Sequence, residues 1–451
     1  MAVPDGVRHD GIAERRAGYE CGLLDEEVYD VSSSDGFDMV FLGDVTHLEM
    51  GQSPDSHYVS DEMDVGVPFL QGNAEFGPSS PQPRFTCTQP AKMCRQGDLL
   101  ISVRAPVGEI NLADRDYCIG RGLAAVRMYG VPTSLAAQVV IAATPDLRRV
   151  AQGTTFDAIN KSDLSSLIVR LPPTRERQIL ARIVDTLDTT IRQTEAIIAK
   201  LKQVKQGLLH DLLTRGIDAN GALRPPDCEA PHLYKQSPLG WIPKEWHVQP
   251  LAGYTSSDIT YGIVQAGPNI EGGVPYIRTG DMYDDGLVRA SLLCTSRRIA
   301  DSYKRSEVRA GDLVMAIRAT VGKVLPVPND LDGANLTQGT ARVAPNLRTD
   351  PSFLLWAIRH HRAQKSILAE IKGTTFAEIT LADLRQVSLA APMDILEQRQ
   401  IGQKVQACEG SIRSEHRQLE KLRAQKTGLM DDLLTGRVRV TPLLERASSS
   451  S

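Results

Sequence analysis

LARIVDTLDTTIRQTEAIIAKLKQVKQGLL, residues 180–209, decides how this chain is read. Leu180, Ile183, Leu187, Thr190, Thr194, Ile197, Leu201, Val204 and Leu208 step by alternating three and four residues, the spacing of a heptad seam on a long helix. The spacing returns at Ile401, Val405, Cys408, Ile412, Glu415, Leu419, Leu422, Lys426, Leu429 and Leu433. At about 1.5 Å per residue, a helix of about 35 to 40 residues is roughly 55 Å long, more than a small domain can cover. Polar positions such as Thr190, Thr194, Glu415 and Lys426 weaken each seam taken alone, so the economical arrangement pairs the two helices with each other. If a twofold operation relates them they lie antiparallel, with one globular domain at either end.

Outward from the helices, the second half of the chain repeats the first. VPFLQG (67–72) matches VPYIRTGD (274–281), GDLLISVRAPVG (97–108) matches GDLVMAIRATVG (311–322), and IGRGLAAVR (119–127) matches LTQGTARV (336–343). GTTF occurs in QGTTFDAINKSDL from Gln152 and in KGTTFAEITLADL from Lys372, RQIL (177–180) faces RQIG (399–402), and GLLHDLLT (207–214) faces GLMDDLLT (428–435). One module has been duplicated. Its leading part holds short aliphatic runs (LLISV, MAIR, AAVRM) bounded by Gly, Pro, Asp and Asn, which predicts strands joined by turns. The fold class expected is α+β: two pseudo-symmetric mixed α/β domains separated by two long antiparallel coiled-coil helices. The expected boundaries are a polar lead at 1–36, a first domain at 37–173, a helix at 174–214, an extended linker at 215–236, a second domain at 237–393, a helix at 394–435, and a strand with a disordered tail at 436–451.

Composition narrows the function. A chain of 451 residues with 41% hydrophobic and 24% charged residues fits two or more soluble domains. The sequence contains no apolar run of spanning length and no apolar core in its first residues, so a cytoplasmic protein is expected. Seven scattered cysteines without C-x-x-C spacing predict reduced thiols rather than disulfides or a zinc ribbon. A net charge of −4 gives no global pull toward nucleic acid, so any DNA contact must come from local patches.

With MGQSP (50–54), VPFLQGNAEFG, GDLLISVRAPVG, DRDYCIGRGLAAVR, the two GTTF segments, SPLGWIPKEW (237–246) and the helix endings LLHDLLT and LMDDLLT in view, residues 41 to 440 resemble the specificity subunit of a type I restriction-modification enzyme. The resemblance implies that each globular domain is a target recognition domain reading one half of a split, asymmetric DNA target. It implies that the helices fix the gap, that methyltransferase subunits, two of them, dock on the helices, and that restriction subunits can join. The chain departs from the pattern in lacking a WIPKEW equivalent in its first unit. The joints before the helices also differ, LPPTRERQ against APMDILEQRQ.

No glycine-rich cofactor loop with a catalytic N/D-P-P-Y/F motif, no GxxxxGK[ST] loop and no nuclease carboxylate set is found in the sequence, so no catalytic residue is assigned. S-adenosylmethionine, magnesium and ATP are expected in partner subunits. The alternative class is a coiled-coil scaffold that binds protein instead of DNA, against which the divergence of the two domains counts.

Arg104 and Arg318 follow equivalent strands and recur, which suits a phosphate or structural role better than base reading, since shared residues cannot encode different half-sites. The polar residues that differ between copies are the base-reading candidates: Gln71 and Asn73 against Arg278 and Thr279, and Arg121 against Gln338. Gln52 and Ser53 of MGQSP join the DNA-facing set, as do Thr154, Thr155, Thr374 and Thr375 of the GTTF phrases, whose main role is expected to be scaffolding. Lys200, Lys202, Lys205, Arg417, Lys421 and Arg423 are candidates for partner docking on the helices, against the bland reading of solvated surface. His360 and His361 are adjacent without further ligand spacing, so no metal site is expected.

Overall fold

The computed structural model describes residues 36–151, 158–284, 286–372 and 377–448. The polar lead, both GTTF phrases and the last three residues of the tail lie outside the described residues. The chain forms two compact units, Met1–Ile191 with Lys421–Ser451, and Arg192–Glu420.

In the first unit, strands β1 (Thr46–Met50), β2 (Val67–Leu70), β3 (Leu99–Ser102), β4 (Tyr117–Ile119) and β5 (Leu123–Met128) lie in the two main sheets. An antiparallel sheet runs β1, β5, β3 and the strand Ile110–Leu112, with Val126 opposite Leu48 and Ala124 opposite Ile101. β2 and β4 pair in parallel, Leu70 beside Ile119. Helix α1 (Thr133–Ala151) covers the first sheet, burying Leu135, Val139 and Val140 against Ile101 and Val126.

The second unit repeats this plan with β6 (Thr260–Tyr261), β7 (Val274–Ile277), β8 (Leu313–Ala316), β9 (Asn335–Leu336) and β10 (Thr340–Val343). Its antiparallel sheet runs β6, β10, β8 and Val324–Pro326, and β7 pairs in parallel with β9, Ile277 beside Leu336. Helices α2 (Thr174–Thr214), α3 (Pro351–Arg359), α4 (His361–Ala369) and α5 (Ile395–Leu434) complete the main helical set. Asp350 caps α3 by accepting from Ser352 N and Phe353 N, with Pro351 at the first helical position. The repeated Gly-Asp phrase is scaffold in both units. Asp98 accepts from Arg95 N and pairs with Arg127 at 2.7 Å, while Asp312 accepts from Arg309 N and pairs with Arg342 at 2.7 Å.

The joints into the long helices follow one design despite their unlike sequences. A strand ending two residues before each helix pairs antiparallel with an early strand of its own unit, Ile168–Leu171 with Asp38–Phe41 and Ser388–Pro392 with Trp246–Pro250. Each helix ends at a glycine with positive φ, Gly216 (66°) and Gly436 (73°), a conformation that L side chains resist.

The seam on α5 falls where its periodicity places it, but the seam on α2 is corrected at alternate positions. Val184 is buried at 0% and Ile198 at 4% exposure, whereas Ile197 and Val204 are 48% and 47% exposed. From Leu180 a helical seam can step by three or by four, and both Ile183 and Val184, like Ile197 and Ile198, are apolar, so periodicity alone does not choose. The duplication does. Shifting the α5 seam back by the 221 residues that separate GLLHDLLT from GLMDDLLT gives 180, 184, 187, 191, 194, 198, 201, 205, 208 and 212, and none of these positions is exposed.

The same shift relates two ion pairs, Lys205 to Glu409 in the second unit and Lys426 to Asp188 in the first, both at 2.6 Å. They run α2 and α5 antiparallel within each unit, and they turn polar seam positions into register marks. Lys205, expected on a docking surface, is therefore a seam residue, with its ammonium 5.4 Å from the Trp356 ring.

Two further corrections concern the connections. The segment after α2 is packed rather than an extended linker: Ile217 and Ala230 are buried, and Tyr234–Ser237 pairs with Gly240–Pro243. Residues expected to form a C-terminal strand instead give a turn and a short helix, Thr441–Ser448.

Each segment leaving one long helix locks the start of the other through a buried carboxylate. Arg224 donates twice to Glu397, at 2.6 and 3.1 Å, and Glu397 Oε1 also accepts from the Trp246 indole and from Ile217 N, each at 3.1 Å. In the first unit Arg439 and Thr441 each donate to Glu176 Oε1 at 2.7 Å. Burial would push the Glu176 carboxyl up, but the Arg439 and Thr441 donors outweigh it and hold it below its ordinary 4.5.

Candidate nucleic-acid interface

In each unit the loops at one end of the two sheets are stitched by main-chain hydrogen bonds. Gly120 N donates to Leu70 O at 2.8 Å, Gln52 N to Ile119 O at 2.9 Å, Val103 N to Gly122 O at 2.9 Å and Ile159 N to Val103 O at 3.0 Å. In the second unit Ile263 N donates to Leu336 O at 2.7 Å, Gln338 N to Ile263 O at 3.0 Å, Ile317 N to Gly339 O at 2.9 Å and Ile379 N to Ile317 O at 3.0 Å. Gly51 and Gly262 allow the closest approach: a Cβ there would meet the Gly120 or Leu336 carbonyl oxygen at 2.2 or 2.0 Å. The strand ends thus gather Gln52, Ser53, Gln71, Asn73, Arg104 and Arg121 into one loop cluster, and Arg278, Thr279, Arg318 and Gln338 into its counterpart.

The side chains differ where the backbones agree. Gln52, Gln71, Arg104 and Arg121 are exposed, and among the described residues none of their side chains has a hydrogen-bond or ion-pair partner. Asn73 donates to Glu109 at 2.9 Å, and the Ser53 hydroxyl lies 3.4 Å from Arg121 N. In the second cluster the guanidinium groups are occupied. Arg278 holds Asp281 at 2.9 and 2.7 Å, and Arg318 holds Glu378 at 3.0 and 2.9 Å. The Asp281 contact raises the Arg278 pKa against the small desolvation. Thr279 is half-buried under Gly339, and Gln338 is exposed. Arg278 N caps onto Asp281 as Gly72 N caps onto Glu75, so Arg278 stands at the place of Gly72, and the first loop is one residue longer.

Glu378 escaped the sequence reading, although the aligned phrases contain it. Arg104 bridges Ala158 and Arg318 bridges Glu378, the residue two positions after Phe in each GTTF segment. Asn160 and Thr380, two residues further on, cap short helices by accepting from Asp163 N and Asp383 N. Thr154, Thr155, Thr374 and Thr375 themselves lie outside the described residues.

On the helices, Lys200, Lys202, Arg417, Lys421 and Arg423 are exposed, leaving Lys205 as the one docking candidate that turns inward. The fold also supplies what the spacing of His360 and His361 lacked, a third imidazole from His210. Among the described residues no helix is long and apolar enough to cross a membrane.

Comparison with known proteins agrees with this geometry. The family described as the type I restriction modification DNA specificity domain matches residues 34–203 and again 263–424. The MjaX specificity subunit of Methanocaldococcus jannaschii is 36% identical over 182 residues, 40% of this chain and 43% of that protein. The EcoBI specificity subunit of Escherichia coli is 24% identical over 62% of this chain and 59% of its own length. The matches therefore span about half the length of these relatives. Among solved structures, the type I restriction-modification S subunit from M. genitalium superposes with a TM-score of 0.56 at 13% identity, covering 91% of this chain and 97% of that one. A subunit from a study of type I complex assembly and conformational transition gives 0.52 at 17% identity, covering 88% and 97%. The identities are low enough that these two likenesses speak to fold alone. The duplicated scaffold and the two family matches lead to one conclusion: this chain belongs to the family of type I restriction-modification DNA specificity proteins.

Proposed function

We propose that the chain is the DNA-reading subunit of a type I restriction-modification assembly, each unit reading one half of a split, asymmetric target through its loop cluster. The observation that carries the reading is the pairing of a common backbone with divergent polar side chains, Arg121 against Gln338, and Arg278 at the place of Gly72 next to the additional Gln71 of the first loop. Arg and Gln make bidentate contacts that distinguish bases in the major groove, while the shared loops set a common approach. Arg104 and Arg318 suit phosphate contact. The paired helices set the gap between half-sites and carry the docking surface for two methyltransferase subunits, with restriction subunits joining in a complete system. S-adenosylmethionine, magnesium and ATP belong to those partners in this proposal, and the chain itself performs no chemistry. Because its net charge is −4, tight binding requires phosphate contacts from the methyltransferase as well.

Mapping methylated positions across the source genome, with and without this chain, tests the proposal. A two-part motif that disappears on deletion supports it. Unchanged methylation, or a single continuous motif, overturns it. Exchanging residues 37–173 for those of a relative should alter one half of the motif and leave the other.

A further inference from the structure

We propose that His210, His360 and His361 form a binding site for a divalent transition-metal ion in the second unit. Their ligand nitrogens all lie within 4.8 Å of one another. His210 sits one turn before the end of α2, and the other two stand where α3 gives way to α4. Neighbouring residues of a continuous helix point about 100° apart and could not both face one ion. His360 breaks the helix, with φ −65° and ψ 143°, so its ring and that of His361 come to 4.2 Å between centroids. The His210 ring lies 6.1 and 5.7 Å from them.

A second observation points at a ligand. His360 is 5% exposed and its Nε2 is buried without a hydrogen-bond partner, whereas buried polar atoms are nearly always paired. A metal ion would satisfy it. Three imidazoles with no thiolate suit Zn²⁺, Ni²⁺ or Cu²⁺ rather than Mg²⁺ or Ca²⁺. Zinc–nitrogen bonds of about 2.0 to 2.1 Å place tetrahedral donors about 3.3 Å apart, so the rings need to close by at most about 1.5 Å. His210 and His361 are exposed and can turn to do so. Arg362 opposes a cation there, which favours modest, micromolar affinity.

The ion would fasten the end of α2 to the α3–α4 corner of its own unit and leave a fourth position for water. Among the described residues the first unit has no counterpart. Its equivalent of His210 is Asp431, which pairs with Arg437.

The test uses the full chain stripped with a chelator. Titration with Zn²⁺ by calorimetry should give one ion per chain and a raised melting temperature. Co²⁺ should give visible ligand-field bands without a thiolate charge-transfer band, which separates this site from the exposed Cys228. His210→Ala and His361→Ala should each weaken binding by at least about tenfold, with melting curves like that of the metal-free parent. Should an alanine variant fail to fold, the glutamine replacement takes its place. Absence of saturable binding, or affinity unchanged in the His210→Ala/His361→Ala double variant, overturns the assignment.

Discussion

The first loop cluster presents Arg104 and Arg121 to solvent, and the second presents Arg278 and Arg318 already held by Asp281 and Glu378. The main-chain bonds that gather the loops recur in both units, so the difference lies in the side chains: Glu378 stands where the first unit has Ala158, and Arg278 where it has Gly72. Duplication preserved what positions the loops and let the charge pattern drift. The Arg318–Glu378 pair is 44% and 43% exposed, where an ion pair contributes only about 0 to 1 kcal/mol, so a phosphate can displace Glu378 at little cost. The first cluster needs no such exchange.

The largest effect expected is on the carboxylate locks, which differ in burial between units. Glu397→Ala leaves the Trp246 indole and Ile217 N without an acceptor and takes from Arg224, 12% exposed, its two short carboxylate bonds, so that it keeps only the Arg215 carbonyl and Glu245 at 3.9 Å; it should destabilise the second unit by about 3 to 5 kcal/mol in urea unfolding. Glu176→Ala should cost about 2 kcal/mol, because Arg439 is 29% exposed and water reaches it. Equal losses would remove the distinction. The depressed Glu176 pKa adds a pH signature. Its contribution is complete above the ordinary value of 4.5 and fades as pH falls through the lower folded value.

The seam offers the next largest contrast. Ile198→Ala should cost about 2 to 4 kcal/mol, and Ile197→Ala no more than about 0.5 kcal/mol, by the same unfolding measurement. A reversal would restore the register that periodicity alone suggested.

On DNA, Arg121→Ala in the assembled complex should weaken target binding by about 1 to 3 kcal/mol and relax one half-site. Arg104→Ala should weaken binding to all sequences and flatten the salt dependence by about one unit of slope. If Arg104→Ala altered sequence preference instead, the division between shared and divergent residues would fail.

The smallest effect sharpens the comparison most. Glu378→Ala frees Arg318 and should tighten non-specific binding by at most about 1 kcal/mol while steepening the salt slope by about one. The reciprocal Ala158→Glu should do the opposite in the first unit. No change in either slope would place both arginines away from the phosphates.

Much of this was legible in the residues. Repeated phrases exposed the duplication, and the spacing of apolar residues placed both long helices within a residue of their observed ends. The seam error on α2 shows the limit of periodicity, since Ile197 and Ile198 are equally apolar and only the internal alignment ranks them. The charged candidates were less legible. Lys205 reads as surface until Glu409 is seen opposite it, 204 residues away.

The sequence by itself determined the duplicated module, the two helices and the places where the copies diverge, because these are local or self-referential properties of the chain. The tertiary structure alone decided which arginines are held by carboxylates, which lysines turn into the seam and which histidines meet. Arg318 and Glu378 lie 60 residues apart, and His210 is farther still from His360. Whether two such groups touch depends on the strand pairing and helix packing between them, which no spacing rule records.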